Sequence, residues 1–175
     1  MAIKPWKTLD AKVVAETPIF ELERVTRTSE AGRTGDFYVV KIQDWVNVFV
    51  FTPEDELVLI EQYRHGTDEV TLEVPGGAID DGESPLEAAA RELREETGFT
   101  CESWEIVGCV EPNPAIQNNR CWTLVGRGAR KTHATDMDEH EEIEVKLVPR
   151  GQMDSLIKDR TIKHSLVVAG WYFAR

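Results

Sequence analysis

The sequence predicts one α/β domain in which a mixed sheet lies between helices. Three observations carry that prediction. β-branched and alternating runs fill the chain up to Val74, a capped helix starts at Pro85, and the closing segments carry apolar residues at helical spacing. No internal repeat or low-complexity linker divides the sequence.

Strands are expected at Lys12 to Glu16, Ile19 to Arg27, Asp36 to Gln43 and Trp45 to Thr52, with the turn-rich Ser29 to Gly35 between the second and third. Pro53-Glu54-Asp55 supplies a hairpin turn before Leu57 to Arg64, and Val70 to Val74 runs into the turn Pro75-Gly76-Gly77. Trp104 to Glu111, Cys121 to Arg127 and Glu142 to Val148 read as later strands. Pro149 to Lys158 and Lys163 to Phe173 read as helices. Residues 1–45 form a strand-rich region ahead of a core spanning 46–175.

The limits of the first helix follow from local chemistry. Ser84 suits the N-cap, Pro85 the first helical position, Glu87 completes a capping box, and Gly98 suits the left-handed position past the end. Glu92, Glu95 and Glu96 then fall in the last two turns, where the helix dipole disfavours each carboxylate by about 0.3 to 1 kcal/mol. Glu92 and Glu96 are also like-charged neighbours one turn apart, at a cost of about 0.2 to 0.5 kcal/mol. A solvated acidic face is the ordinary explanation of such a cluster, and a hard divalent cation is the other. Leu86, Ala89, Ala90 and Leu93 form an apolar stripe, so the carboxylates are expected to project away from the core.

Gly77, Glu83, Arg91, Glu92, Leu93, Glu95, Glu96, Gly98 and Phe99 fill every fixed position of a signature that resembles that of the Nudix hydrolases. The resemblance implies an α/β/α sandwich with a mixed sheet, and hydrolysis of a nucleoside diphosphate linked to another group, with water and a divalent metal. Mg²⁺ is the expected ion, with Mn²⁺ the alternative. By position, it makes Glu92 and Glu96 the leading metal ligands, Glu95 a further ligand or catalytic group, and the backbone carbonyl of Gly76 another ligand. Many relatives carry Ala at that last position, which a carbonyl ligand should tolerate. Arg91 reads as the partner that orients a signature carboxylate, because a guanidinium stays protonated and binds carboxylates bidentately. Glu83 reads as a tie between loop and helix.

Features outside the signature resemble the ADP-ribose pyrophosphatase group. Glu61-Gln62-Tyr63-Arg64 matches its Gln-Tyr-Arg segment, which makes Arg64 a substrate contact, and Glu73 lines the site or braces the loop. Pro114 lies sixteen residues past Gly98 and marks the substrate loop, although a proline pair also simply stiffens a loop. Asn118, Asn119 and Arg120 either bond a sugar or phosphate or cap a turn. The general base is expected in the acidic stretch before the last strand, with Glu141 first and Glu139 as alternate; an acidic surface loop without a catalytic task is the competing reading. The group also implies a homodimer built with the N-terminal region. A triphosphate or cap pyrophosphatase, and a catalytically silent metabolite-sensing module, are the alternatives to a nucleoside-diphosphate-sugar hydrolase.

Composition narrows the classes further. With 32 acidic and 20 basic side chains the net charge is −12, which counts against a general nucleic-acid binder. Cys101, Cys109 and Cys121 lack the paired spacing of a zinc site and read as reduced thiols. No stretch approaches the ~20 apolar residues of a membrane helix, and the start lacks the apolar core of a signal peptide, so a cytoplasmic protein is expected. His65, His133, His140 and His164 are scattered and read as surface or hydrogen-bonded residues.

Overall fold

The computed structural model describes residues 2–137 and 141–175, which divide into two compact units. The first comprises Met1–Gln43 and Glu111–Arg120, the second Asp44–Val110 and Cys121–Arg175. The first unit therefore ends at Gln43 and takes in a loop far downstream.

In the first unit, β1 (Lys7–Glu16), β2 (Glu21–Thr28) and β3 (Thr34–Lys41) form an antiparallel sheet in that order. Here the first strand starts five residues before the expected Lys12, and two register shifts bend it. Trp6 packs edge-on against Phe37, with ring centroids 5.6 Å apart. Residues 111–120 are stitched to the end of β3: Val40 N–H donates to the Ile116 carbonyl, Ile42 N–H to Asn118 Oδ1, and Asn119 Nδ2 to the Gln43 carbonyl.

The second unit is a mixed sheet between helices. Its strands are β4 (Trp45–Phe51), β5 (Glu56–Arg64), β6 (Glu69–Glu73), a short β7 (Phe99–Thr100), β8 (Ser103–Val110), β9 (Cys121–Arg127), a short β10 (Arg130–Lys131) and β11 (Ile143–Pro149). The sheet runs β11-β5-β4-β9-β8, with β6 added beside β5; β4 and β9 are parallel and the other pairs antiparallel. β7 and β10 pair only with each other.

Alternation along β4 splits the core. Val46, Val48 and Val50 face α1 (Pro85–Thr97), where Ala88, Ala89 and Leu93 meet them. Phe49 and Phe51 face the other way, onto Met153 of α2 (Met153–Lys158) and onto Val167 and Trp171 of α3 (Ser165–Ala174). Every core side chain on α1 is small except Leu93, so the helix lies close to the valine face. A 3-10 turn, Arg150–Gln152, stands where the sequence suggested the start of a helix at Pro149, because Pro149 still pairs with Glu56 as the last residue of β11.

The capping of α1 follows its sequence. Ser84 accepts from Glu87 N–H, Glu87 accepts from Ser84 N–H, and Gly98 adopts φ 75° while its N–H reaches the Arg94 carbonyl. The buried face differs from expectation. Leu86 is 42% exposed, whereas Ala88 is fully buried and Glu96 lies on the core side with Leu93 and Thr97. Burial thus takes in one of the carboxylates that were expected to point outward. No helix among the described residues is long and apolar enough to cross a membrane.

Candidate active site

The site begins with a turn that lies along a strand. Val48 N–H donates to the Pro75 carbonyl and Val46 N–H to the Gly77 carbonyl, both at 2.9 Å, so Pro75-Gly76-Gly77 runs beside β4 as an extended segment. Successive peptide groups of such a segment point to opposite edges, which turns the Gly76 peptide away from β4. Its N–H donates to Glu96 Oε2 at 3.0 Å, and its carbonyl shares that edge.

Both glycines are required by contact. A Cβ on Gly76 would lie 2.1 Å from the Val46 carbonyl oxygen, and one on Gly77 would lie 2.3 Å from Glu92 Oε1. Alanine at 76 is therefore poorly tolerated in this chain, whatever the carbonyl does. Gly77 instead makes room for a carboxylate.

Arg91 is the hub of the α1 carboxylates. Its Nε and Nη2 make a bidentate pair with Glu83 at 3.0 and 2.9 Å, Nη2 also reaches the Ala78 carbonyl at 3.0 Å, and Nη1 donates to Glu92 at 2.9 Å and Glu95 at 3.4 Å. The hydrogen bonds that Arg91 donates to Glu83 raise the Arg91 pKa, so the guanidinium stays charged. Glu83 in turn accepts from Asp80 N–H, which closes the loop onto the helix.

Glu92 and Glu96 bear the electrostatic cost. Burial pushes Glu96 well above the ordinary carboxylate value, and Glu92 and Glu141 add repulsion that Gly76 N–H and Arg64 only partly relieve. Glu92 is also raised, first by burial, despite Arg91. Paired, half-sequestered carboxylates of this kind fit a hard divalent cation, which is held through one or two carboxylates together with water and substrate oxygens. No three His, Cys, Asp or Glu side chains among the described residues close into a complete cage.

Across the site, Arg64 Nε and Nη2 clamp both oxygens of Glu73 at 3.0 and 2.9 Å, and the Thr71 hydroxyl donates to Glu73 at 2.6 Å. Glu73 is 3% exposed and Arg64 42%, so the carboxylate is a brace and the guanidinium is the accessible end. Burial pushes Glu73 up, but the bonds from Arg64 and Thr71 outweigh it and hold its pKa low. Glu96 and Glu141 both act on Arg64 through their fields. β11 begins at Ile143, which pairs with Gln62, so Glu141 precedes that strand by two residues at the end of β5 that carries Arg64. Glu141 itself is exposed.

The structure thus brings Gly76, Glu92, Glu95, Glu96, Arg91, Arg64, Glu73 and Glu141 together in the second unit. Pro114, Asn119 and Arg120 belong to the first: Pro114 and Arg120 are exposed, while Asn119 is buried against the backbone it bonds. Glu139 lies outside the described residues. Sequence reasoning missed Thr71, although its spacing two residues before Glu73 on one strand was a usable signal. It also passed over His164, whose ring feels the charges of Glu73 and Arg64; nothing in the local sequence announces that proximity.

Known proteins resemble this chain in sequence and fold. The family model described as the NUDIX domain matches residues 41–169. The methanol dehydrogenase activator of Bacillus methanolicus is 30% identical over 138 residues, covering 78% of this chain and 75% of that protein. The ADP-ribose pyrophosphatase of Bacillus subtilis is 25% identical over 162 residues, covering 89% and 88%. A crystal structure of an ADP compounds hydrolase has the same fold, with a TM-score of 0.86 at 24% identity, covering 99% of this chain and 94% of that one. With its signature carboxylates on the capped helix and the family match across most of its length, the chain belongs to the Nudix hydrolase family.

Proposed function

We propose that the protein hydrolyses the diphosphate of ADP-ribose, or of a related nucleoside-diphosphate sugar, to a nucleoside monophosphate and a sugar phosphate. The observation that carries this reading is the pairing of Glu92 and Glu96 at a glycine turn, with the half-buried Arg64 in the field of Glu96. The relatives named ADP-ribose pyrophosphatase support the substrate class.

Each residue takes a role on this reading. Glu92, Glu96 and the Gly76 carbonyl would hold Mg²⁺, or Mn²⁺, with Glu95 beside them, and the ion would supply positive charge against the diphosphate. Arg91 fixes the geometry of Glu92 and Glu95. Arg64, braced by Glu73, holds a diphosphate oxygen. Glu141 accepts the proton of the water that attacks phosphorus, and the phosphorus–oxygen bond to the other phosphate breaks as its oxygen leaves with the electron pair. The protein works in the cytoplasm as a homodimer joined through its first unit, which also carries the exposed β1 residues Leu9, Val13 and Val14.

The test is product analysis by mass. The protein is incubated with Mg²⁺ in ¹⁸O water and, separately, ADP-ribose, ADP-glucose, GDP-mannose, UDP-glucose, NADH and nucleoside triphosphates. AMP and ribose 5-phosphate as the fastest-formed products, one of them labelled, are expected. Turnover confined to triphosphates would move the chain to another substrate class, and none at all would match a silent module. Glu141→Gln should lower kcat by about 10² to 10⁴-fold with KM nearly unchanged. If Glu139→Gln does that instead, the base is Glu139.

A further inference from the structure

Arg64 gives only one edge of its guanidinium to Glu73. Nε donates to Glu73 Oε1 and Nη2 to Oε2, so three of its five N–H groups, two on Nη1 and one on Nη2, stay off that carboxylate. Those three lie along the edge that matches two oxygens of a phosphate. Glu73 itself is buried while Arg64 is half-exposed, so the clamped edge points into the protein and the other edge is left for a ligand.

The direction of that outer edge depends on how firmly Glu73 is held. The last torsion of a Glu side chain is broad, so a carboxylate gripped from one side alone can turn. Thr71 grips it from another. It stands two residues before Glu73 on β6, on the same face of the strand, and pairs in register with Gln62, two residues before Arg64 on the matching face of β5. Its hydroxyl has one proton and two oxygens in range, Glu73 Oε1 at 2.6 Å and the Gln62 carbonyl at 3.4 Å. The closer oxygen, on an ionised group, takes it. Thr71 is buried, so water does not compete for that bond.

We propose that Thr71 is a positioning residue for substrate binding: by fixing Glu73 it aims the outer edge of Arg64 at the diphosphate. This rests on the reading of Arg64 as a substrate contact. The second anchor matters most when substrate is bound. The guanidinium is then shared between two anions that repel each other, and its attraction on Glu73 weakens. The hydroxyl of Thr71 carries no charge to be shared, so it keeps the carboxylate, and through it the plane of Arg64, in place.

Steady-state kinetics of the full chain on ADP-ribose with Mg²⁺ test this. Thr71→Val keeps the β-branched shape of a strand residue and removes the donor. KM should rise about tenfold, the scale of one hydrogen bond to a charged group, with kcat within about twofold, as for lost binding common to ground and transition states. Thr71→Ser keeps the hydroxyl and should restore KM. A double-variant cycle separates aiming from packing. Arg64→Lys keeps a positive charge against Glu73 but has no planar edge, so it should raise KM by itself, and adding Thr71→Val to it should raise KM no further. If Thr71→Val fails to fold, Thr71→Ala takes its place in both arms. An unchanged KM in Thr71→Val, an equal rise in the Arg64→Lys background, or an Arg64→Lys enzyme with wild-type KM overturns this proposal alone. If Arg64→Ala also keeps wild-type KM, or the wild type leaves ADP-ribose intact, the reading of Arg64 and this proposal fall together.

Discussion

A single buried carboxylate sets much of the behaviour of this site. Glu96 is 3% exposed, faces the core side of α1, and keeps one backbone hydrogen bond from Gly76. Because its folded pKa is raised by burial, the native state holds its proton more tightly than the unfolded chain does. That proton-linked stability is fully present below the ordinary value of 4.5 and is lost as pH rises through the folded value. Glu96→Gln mimics the protonated acid. In chelator, its thermal stability should match wild type at the acid end and exceed it at neutral pH. Adding Mg²⁺ should stabilise wild type more than the variant, and turnover should fall by about 10²-fold or more, since even outer partners of a metal cost 10 to 100-fold. Equal melting curves at neutral pH in chelator, or normal Mg²⁺-dependent turnover, would remove Glu96 from the metal site.

At the scale of elements, the glycine turn and α1 meet through two contacts of different kinds. The missing Cβ of Gly76 spares a backbone oxygen of β4, while that of Gly77 spares the end of a flexible side chain. Gly76→Ala should therefore cost stability, about 1 to 3 kcal/mol as for other overpacked sites, because the strand cannot step aside. Gly77→Ala should cost less stability but displace Glu92 and weaken Mg²⁺ binding, which calorimetry of the metal alone reads directly. The reverse ranking of the two variants would place the rigid contact at Gly77. The sequence made α1 legible because Ser84, Glu87 and Gly98 state its ends in local chemistry, and β4 legible because its apolar run is continuous. It left β7 and β10 unread, since two-residue strands carry no period. It left the inward face of Glu96 unread as well: a stripe of Leu86, Ala89, Ala90 and Leu93 is as periodic as the true face, and only the small valines of β4 select Ala88 and Ala89 for contact.

Across the whole molecule, the division into units turns on contacts between distant residues. Asn118 and Asn119 bond Ile42 and Gln43 across 76 positions, and no local pattern encodes such a pairing. The downstream proline loop thereby becomes part of the N-terminal unit. The sheet of that unit ends on β1, a ten-residue edge strand exposed along its full length, with Leu9, Val13 and Val14 open to solvent. Free edges of this kind invite pairing with another chain, and its register shifts only bend this one. With a net charge of −12, copies of the chain repel at long range, so an association must come from apolar contact at short range. A stable dimer needs about 1,200 to 2,000 Å² of buried surface, within reach of a long strand and its neighbours. Light scattering at micromolar concentration should give twice the chain mass for wild type and a single chain mass for a Leu9→Lys, Val13→Lys double variant that keeps its circular dichroism. Salt should favour the dimer by screening the repulsion. A monomeric wild type at every concentration and ionic strength, or a double variant that remains dimeric, would rule out this strand as the joining surface.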